Sequence, residues 1–326
     1  MKPKALIAVD SGKYGTKAIL YHNNKEHYVY FRTKMQEVTT SLDIDVTAGS
    51  YVIKHNGKTY IIGNMVDESY SSYDLSKEKE IHKLCIYVAI AELLKQANIN
   101  PSTVDLKVAV NIPISTYKDA TSKKRYLEFI ENLNNPIVIE VNGVPFMFEL
   151  RNTIAVFEGV GAVFHDVKSA KNINTTVVDI GGLNVSYCIF DTVTPNFSSM
   201  VVSNDGCNIL KGKIGRMINE RFGIAVAQND LERIIHDGYL MSEGAIVTDS
   251  YHLIEQIKDA HFQEIISFAK SRGYTFNNTN ISFCGGGALL LHNCIKKYFP
   301  HAHTEVNPQF TNVKSFLQIL KIKNNV

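Results

Sequence analysis

Two stretches of the chain, one near the start of each half, share one pattern. An apolar run ends in Asp-x-Gly, the chain turns through small or polar residues, and a second apolar run follows. The first stretch spans Ala5 to Leu20, with Asp10 and Gly12 at the turn; the second spans Thr175 to Phe190, with Asp179 and Gly181 there. Short apolar runs bounded by glycine turns predict buried strands, so each stretch reads as a hairpin. A third element, Ile281 to Leu289, sets an apolar strand before Gly285, Gly286 and Gly287 and then a helix.

The pattern between these landmarks predicts the other elements. Residues 4–30 form a β-meander, and residues 31–73 are polar and strand-like. Asn56-Gly57 marks a hairpin there, because that pair suits the two positive-φ sites of a type I′ turn. A helix follows, capped by Asp74 or Ser76, with Glu78 and Glu80 in its first turn. Ile81, Leu84, Cys85, Val88 and Leu93 recur at helical spacing and give it one apolar face. Residues 106–112 are a strand stopped by Pro113, residues 118–133 a helix, and Asn142-Gly143 a second hairpin turn. Residues 151–164 cross into the second half, and the charged, Asn-containing stretch 165–174 reads as a linker. The second half then runs hairpin, strand to Val202, helix 208–221, helical insertion 225–272, final strand, glycine turn and helix. A last helix covers 313–321.

The order hairpin, helix, strand, helix thus occurs twice, about 170 positions apart. This predicts an α/β protein of two duplicated lobes, each a mixed sheet flanked by helices. The first lobe would be residues 1–165, with a smaller subdomain at 31–73, and the C-terminal helix 313–326 would pack back on it. The second would be 166–312, with a smaller subdomain at 225–272. A Rossmann or P-loop unit places its glycines between strand and helix, whereas the first two glycine turns here join strands. Gly57-Lys58-Thr59 lacks the upstream glycine of a P-loop and lies in a hairpin.

Composition narrows the partners. In 326 residues, 45% are hydrophobic and 20% charged, with a formal net charge of +2. That balance gives no field for direct nucleic-acid or membrane-surface binding. The short basic clusters at Lys123–Arg125 and Lys296–Lys297 read as solvated helix faces. No apolar stretch approaches the ~18 residues of a membrane span, and no cleavable signal follows Met1. Cys85, Cys188, Cys207, Cys284 and Cys294 form an odd set without CxxC spacing, which predicts buried, reduced thiols in a cytoplasmic protein.

The turns suit a nucleotide. A polyphosphate needs backbone N–H groups that approach closely, and glycine turns supply that concavity. Ser11, Gly12, Lys13, Tyr14, Gly15, Thr16 and Lys17 form the first candidate loop, and Gly181, Gly182, Leu183 and Asn184 the second. Lys17 would add positive charge toward phosphate and Thr16 a hydroxyl. A carboxylate beside a triphosphate repels it unless a divalent ion intervenes, so Asp10 and Asp179 fit Mg2+ held largely through water. Gly285, Gly286, Gly287 and Ala288 would receive the nucleoside end and its nearest phosphate. Glu158, on the crossing segment, could orient or deprotonate an attacking water. Any one of these features alone is commonly a turn or a solvated acid; their order along one chain makes the pattern specific.

These residues resemble the actin, sugar kinase and heat-shock-chaperone ATPase superfamily, which has two Asp-x-Gly phosphate loops, connecting segments and a Gly-Gly adenosine loop. The corresponding segments are Asp10–Lys17, Asp179–Ser186 and Phe283–Leu289, with Thr153–Gly161 as first connecting segment. The chain is most similar to the ParM group of bacterial actin-like proteins that segregate plasmids. Asn111, Pro113, Ser115, Thr116 and Tyr117 resemble that group's Leu-Pro turn, and Glu158, Gly159, Gly161 and Ala162 its Pro-Glu-Gly-x-Gly-Ala. Two departures stand out: Leu183, Asn184 and Val185 occupy the usual Thr-rich continuation of the second loop, and Phe157 replaces the proline before the glutamate.

The resemblance implies ribonuclease H-like lobes around a nucleotide cleft. It further implies an ATPase that binds ATP or ADP with Mg2+, assembles into a homopolymeric filament and hydrolyses ATP after assembly. Glu158, Asp179 and Asp10 would be the catalytic set, and Asp205-Gly206 would lie near the ribose. Its partner would be a DNA-binding adaptor at a plasmid centromere, so the chain would touch DNA only indirectly. A small-molecule, sugar-type kinase of the same superfamily is the alternative. It would need an aspartate base on the first connecting segment, where none as suitable is found. A non-filamentous chaperone-like switch fits less well, because no peptide-binding segment is evident in the sequence.

Overall fold

The computed structural model describes residues 2–39, 45–72, 74, 76–165 and 173–326. The expected linker lies outside the described residues over 166–172, as do positions 40–44 and 73 of the expected smaller subdomain. The chain forms two units: one holds the residues through Glu158 together with Asn312–Val326, and the other is Gly159–Thr311.

The first unit opens with the meander β1 (Lys4–Ser11), β2 (Gly15–His22) and β3 (Lys25–Arg32). A second sheet begins with β4 (Met35–Val38), β5 (Ser50–His55) and β6 (Lys58–Gly63). Asn56 and Gly57 close the β5–β6 hairpin at φ of 48° and 75°, the left-handed values a type I′ turn needs. Helix α1 (Glu80–Gln96), strand β7 (Asp105–Ile112), helices α2 (Ile114–Lys118) and α3 (Ala120–Ile130), and strands β8 (Ile137–Val141), β9 (Val144–Phe148) and β10 (Ile154–Phe157) follow. The main sheet has the order β10-β7-β1-β2-β3. β1 pairs antiparallel with β2 and parallel with β7, and β7 pairs parallel with β10. The other sheet runs β4-β6-β5-β8-β9, so the hairpin at Asn142-Gly143 joins strands from residues 35–63.

Three expectations change here. Helix α1 starts at Glu80, not at Asp74 or Ser76, and Lys79 takes the cap position without a side-chain bond. Asp74 Oδ1 instead accepts from Ser76 N–H at 2.9 Å, and Ser76 Oγ from Glu78 N–H at 3.2 Å. Both side chains spend their capping capacity on turns upstream. Nor does α1 have one apolar face. Residues 81–91 and 93–94 are all buried, because the helix packs on β1, β2 and β3 and also meets β8 of the other sheet. Finally, the single helix expected at 118–133 is two. Asp119 ends α2 and caps α3, accepting from Ser122 N–H at 2.7 Å.

The second unit repeats the plan of the first. β11 (Asn174–Ile180) and β12 (Val185–Asp191) form the hairpin, followed by β13 (Thr194–Pro195), β14 (Val201–Ser203) and helix α4 (Cys207–Phe222). The expected helical insertion holds α5 (Gln228–Asp237), a short hairpin of β15 (Leu240–Ser242) and β16 (Ala245–Val247), and α6 (Asp249–Ser271). The hairpin is a departure, closed by Glu243-Gly244 between two three-residue strands too short to show alternation. β17 (Asn280–Cys284), α7 (Gly286–Leu290), α8 (His292–Tyr298) and β18 (His303–Thr304) complete the unit. β11 pairs antiparallel with β12 and parallel with β17, as β1 does with β2 and β7. Its core gathers Val178, Ile180, Tyr187, Ile214, Phe262 and Phe283.

The final helix α9 (Thr311–Asn324) belongs to the first unit through Asn312 onward. It buries Val313, Phe316, Leu317 and Leu320 there, and Lys321 pairs with Glu26 at 3.1 Å. All five cysteines are buried free thiols. No helix among the described residues is long and apolar enough to cross a membrane.

Candidate functional site

In the first unit, β1 delivers Asp10 and Ser11 to the end of the sheet, and the chain turns through Gly12, Lys13 and Tyr14 into Gly15 of β2. The antiparallel register sets Asp10 opposite Lys17 and Ser11 opposite Thr16. A Cβ on Gly12 would stand 2.9 Å from the Gly15 carbonyl, and one on Gly15 2.8 Å from the Tyr30 ring, so close packing demands both glycines. Tyr14 lies under the Arg32 guanidinium, 3.6 Å from its ring centre. Thr16 is fully buried and its hydroxyl bonds the Thr33 hydroxyl at 3.0 Å, which turns it to the core rather than to the loop.

Behind this loop lies a buried polar network. β7 supplies Asn111, whose Oδ1 accepts from Ser11 N–H at 2.9 Å and whose Nδ2 donates to Glu158 Oε1 at 3.2 Å. The Lys77 ammonium, 1% exposed, donates to the Ser11 carbonyl at 2.8 Å and forms an ion pair with Glu158. Ser11 Oγ bonds His82 Nδ1 at 3.0 Å, and His82 Nε2 meets Lys13 Nζ at 3.1 Å. An ammonium only donates, so Nε2 is the accepting nitrogen and Nδ1 carries the ring proton.

Burial sets the charge states. It pushes the Asp10 carboxyl above its ordinary range, and Lys17, 3.9 Å away, and Lys77 only partly reverse that. Burial pushes Glu158 the same way, but the charge and hydrogen bond of Lys77, with Lys13 and Asn111, bring it below the ordinary value, so it is ionised at neutral pH. Burial beside Lys77 lowers Lys13 to about 8. Burial together with Lys77 and Lys13 holds His82 well below its ordinary value, hence neutral.

In the second unit, Asp179 stands opposite Ser186 on β12 and beside Cys284 on β17. Gly181 N–H donates to the Asn184 carbonyl at 2.9 Å, closing the turn through Gly182 and Leu183. The start of α4 docks against that turn. Cys207 N–H donates to the Gly181 carbonyl at 3.0 Å and Asn208 N–H to the Gly182 carbonyl at 2.8 Å. Gly206 precedes them because a Cβ there would collide with Leu183 and Asn184; Asp205 lies one residue earlier, partly buried. These two amides of α4 are therefore spent within the protein rather than offered to an anion. Gly285 sits at φ 83°, where a Cβ would also collide with Ile180 and Asp179. Gly287 is closed in by Ile180 and Cys207, and Ala288 is buried. Gly286 has no atom within 4 Å of where a Cβ would stand.

Sequence reasoning singled out Asp10, Lys13 and Glu158 but missed Lys77 and His82. His82 carried little signal, lying beside Lys83 near the start of a helix whose middle is apolar; Lys77 carried none, sitting in a run of charged residues before α1. Hard oxygen donors such as Asp10 and Asp179 suit Mg2+, and the residual burial cost on Asp10 is one a cation would relieve. Among the described residues no group of three or more His, Cys, Asp or Glu could hold a metal ion.

Residues 8–161 match the family described as "Actin like proteins N terminal domain". No curated protein sequence matches the chain. Solved structures similar to it include a 15-stranded ParM filament from Clostridium botulinum, at 18% identity and TM-score 0.78 over 98% of this chain and 99% of that one. An Alp12 filament is similar at 25% identity and TM-score 0.69, over 99% of both chains. An archaeal actin homologue, Ta0583, in complex with ADP, is similar at 15% identity and TM-score 0.75, over 99% of this chain and all of that one.

Proposed function

We propose that this chain, whose residues 8–161 match the actin-like family and which has the actin-like fold throughout, is an ATPase that assembles into filaments. The filament would form with ATP bound, weaken after hydrolysis and move plasmid DNA through a DNA-binding adaptor. Filament structures of ParM and Alp12 and the ADP complex of Ta0583 support this reading by shared fold. The observation that carries it is Glu158, a partly buried carboxylate kept ionised and tied to the first glycine loop by Lys77 and Asn111. Such a group suits the orienting of a water for attack on a phosphoryl group.

In this reading Lys13 and Lys17, with the backbone of residues 11–15, take the phosphates. Asp10 and Asp179 are the residues that would hold Mg2+, which would supply neutralisation of phosphate charge. The turn at 181–184 and the backbone at Gly286 complete the contacts. Glu158 accepts a hydrogen bond from the water, which turns the water's own lone pair toward the terminal phosphorus. The five reduced, buried thiols fit a cytoplasmic setting. Phosphate release from Mg-ATP, measured beside a screen for sugar phosphorylation, tests the reading. Release without an acceptor sugar supports it, whereas release or transfer only with a sugar present refutes it in favour of a kinase.

A further inference from the structure

We infer that Lys77 is a positioning residue for the proposed hydrolysis, a cation that fastens the Glu158 carboxylate to the first phosphate loop. The inference rests on the ATPase reading and deepens it. Both backbone groups of Ser11 are strapped toward Glu158, each by a different side chain. Asn111 takes the Ser11 N–H on its Oδ1 and donates to Glu158 Oε1 from its Nδ2. Lys77 donates to the Ser11 carbonyl and pairs with the same Oε1. The far side of Ser11 is held as well, since its hydroxyl bonds His82, which in turn takes a bond from Lys13. A shift of the Ser11 backbone therefore moves the partners of the carboxylate, and the carboxylate cannot turn without breaking a bond to a side chain that holds the loop.

The chemistry of Lys77 suits this role and no ordinary structural one. Its ammonium is almost wholly buried, at 1% exposure, on a flexible stem that keeps rotamer freedom unless something holds it. A burial of that kind is tolerated only where the charge is paired and bonded, and here the pair is the one acid suited to activating water. Other charged or titratable groups around Glu158 are Lys13, Asp10 and the Tyr126 hydroxyl, the last donating to the Asn111 carbonyl at 3.0 Å. None of them touches both the loop and Glu158. Loop occupancy and water orientation are thereby joined through Lys77, the charged one of the two side chains that bridge Ser11 and Glu158, which links phosphate binding to the readiness of the base.

The test separates binding from chemistry with Lys77→Met, Lys77→Arg, Glu158→Gln and the Lys77→Met/Glu158→Gln pair in the full chain. Binding is read with a fluorescent ADP and hydrolysis by single-turnover phosphate release from Mg-ATP. Expected is Lys77→Met binding within about threefold of wild type and hydrolysis at least about tenfold slower, the split of a group that acts on the reaction rather than on affinity. Lys77→Arg, which keeps the charge, recovers much of the rate. On the Glu158→Gln background Lys77→Met changes the rate by less than about twofold, because the partner it positions is gone. Wild-type hydrolysis in Lys77→Met, equal loss of binding and rate, or an undiminished effect on the Glu158→Gln background would each overturn the inference while leaving the ATPase reading intact. If Lys77→Met is insoluble, the charge-free double variant must recover soluble protein, and a double variant no more soluble also overturns it. Wild-type protein that binds ADP but never releases phosphate refutes the ATPase reading, and the role of Lys77 falls with it.

Discussion

A carboxylate drawn out of water stays ionised only where donors and cations offset what it loses, and in this chain the partly buried Glu158 meets that condition while the buried Asp10 does so only in part. In the proposed reading the difference gives them separate work: Glu158 would hold a water, and Asp10 would gain from a cation. Glu158→Gln keeps the size and the Asn111 contact but removes the charge. We expect single-turnover phosphate release to slow by about a hundredfold or more, with ADP affinity within a few fold of wild type. Release at the wild-type rate would mean that another residue orients the water. Lys13 gives a pH prediction. Its protonated form is the one that binds phosphate, and burial has lowered it to about 8. ADP affinity should therefore be full at pH 7 and fall by about tenfold or more by pH 9.5. Lys13→Arg stays charged and should flatten that dependence; an equally steep fall would show that Lys13 does not touch phosphate. Asp10, Lys13 and Glu158 were legible because each adjoins a glycine turn or the glycine-flanked crossing segment. Lys77 and His82 were not, since their role comes from long-range contact with Ser11 and leaves no local pattern.

Among the elements, the triple glycine separates packing from function within three residues. A Cβ at Gly287 would run into Ile180 and Cys207, whereas Gly286 has open space around the same atom. Gly287→Ala should lower thermal stability by about 1–3 kcal/mol through overpacking. Gly286→Ala should unfold like wild type in a thermal melt, yet weaken nucleotide binding, since only a close ligand requires bare backbone there. Unchanged affinity in Gly286→Ala would remove this loop from the site. The hairpins and the glycine turns could be read in advance because alternation, Asn-Gly and Asp-x-Gly are local signals. The environment of α1 could not. Its apolar face was visible, but its full burial follows from a second sheet that recruits β8 and β9 from some 80 residues downstream of β5. The cap was misplaced for a related reason: Asp74 and Ser76 are good caps whose bonds go to nearer turns.

At the scale of the molecule, one plan is used twice. Each unit opens with a hairpin whose first strand pairs parallel with a later strand, and each sets a carboxylate near the end of that first strand. Asp10 and Asp179 thus hold corresponding places in the two units. The duplication was visible in the order of elements, while the network of Lys77, Asn111 and Glu158 belongs to the first unit. The central claim is that nucleotide state controls assembly, and high-speed sedimentation tests it most directly. Purified protein would be spun with Mg2+ and ATP, ADP or no nucleotide, with light scattering followed in parallel. The account predicts pelleting with ATP that reverses as ATP is consumed and that persists in Glu158→Gln. Protein that binds ATP yet stays in the supernatant at every concentration would contradict it.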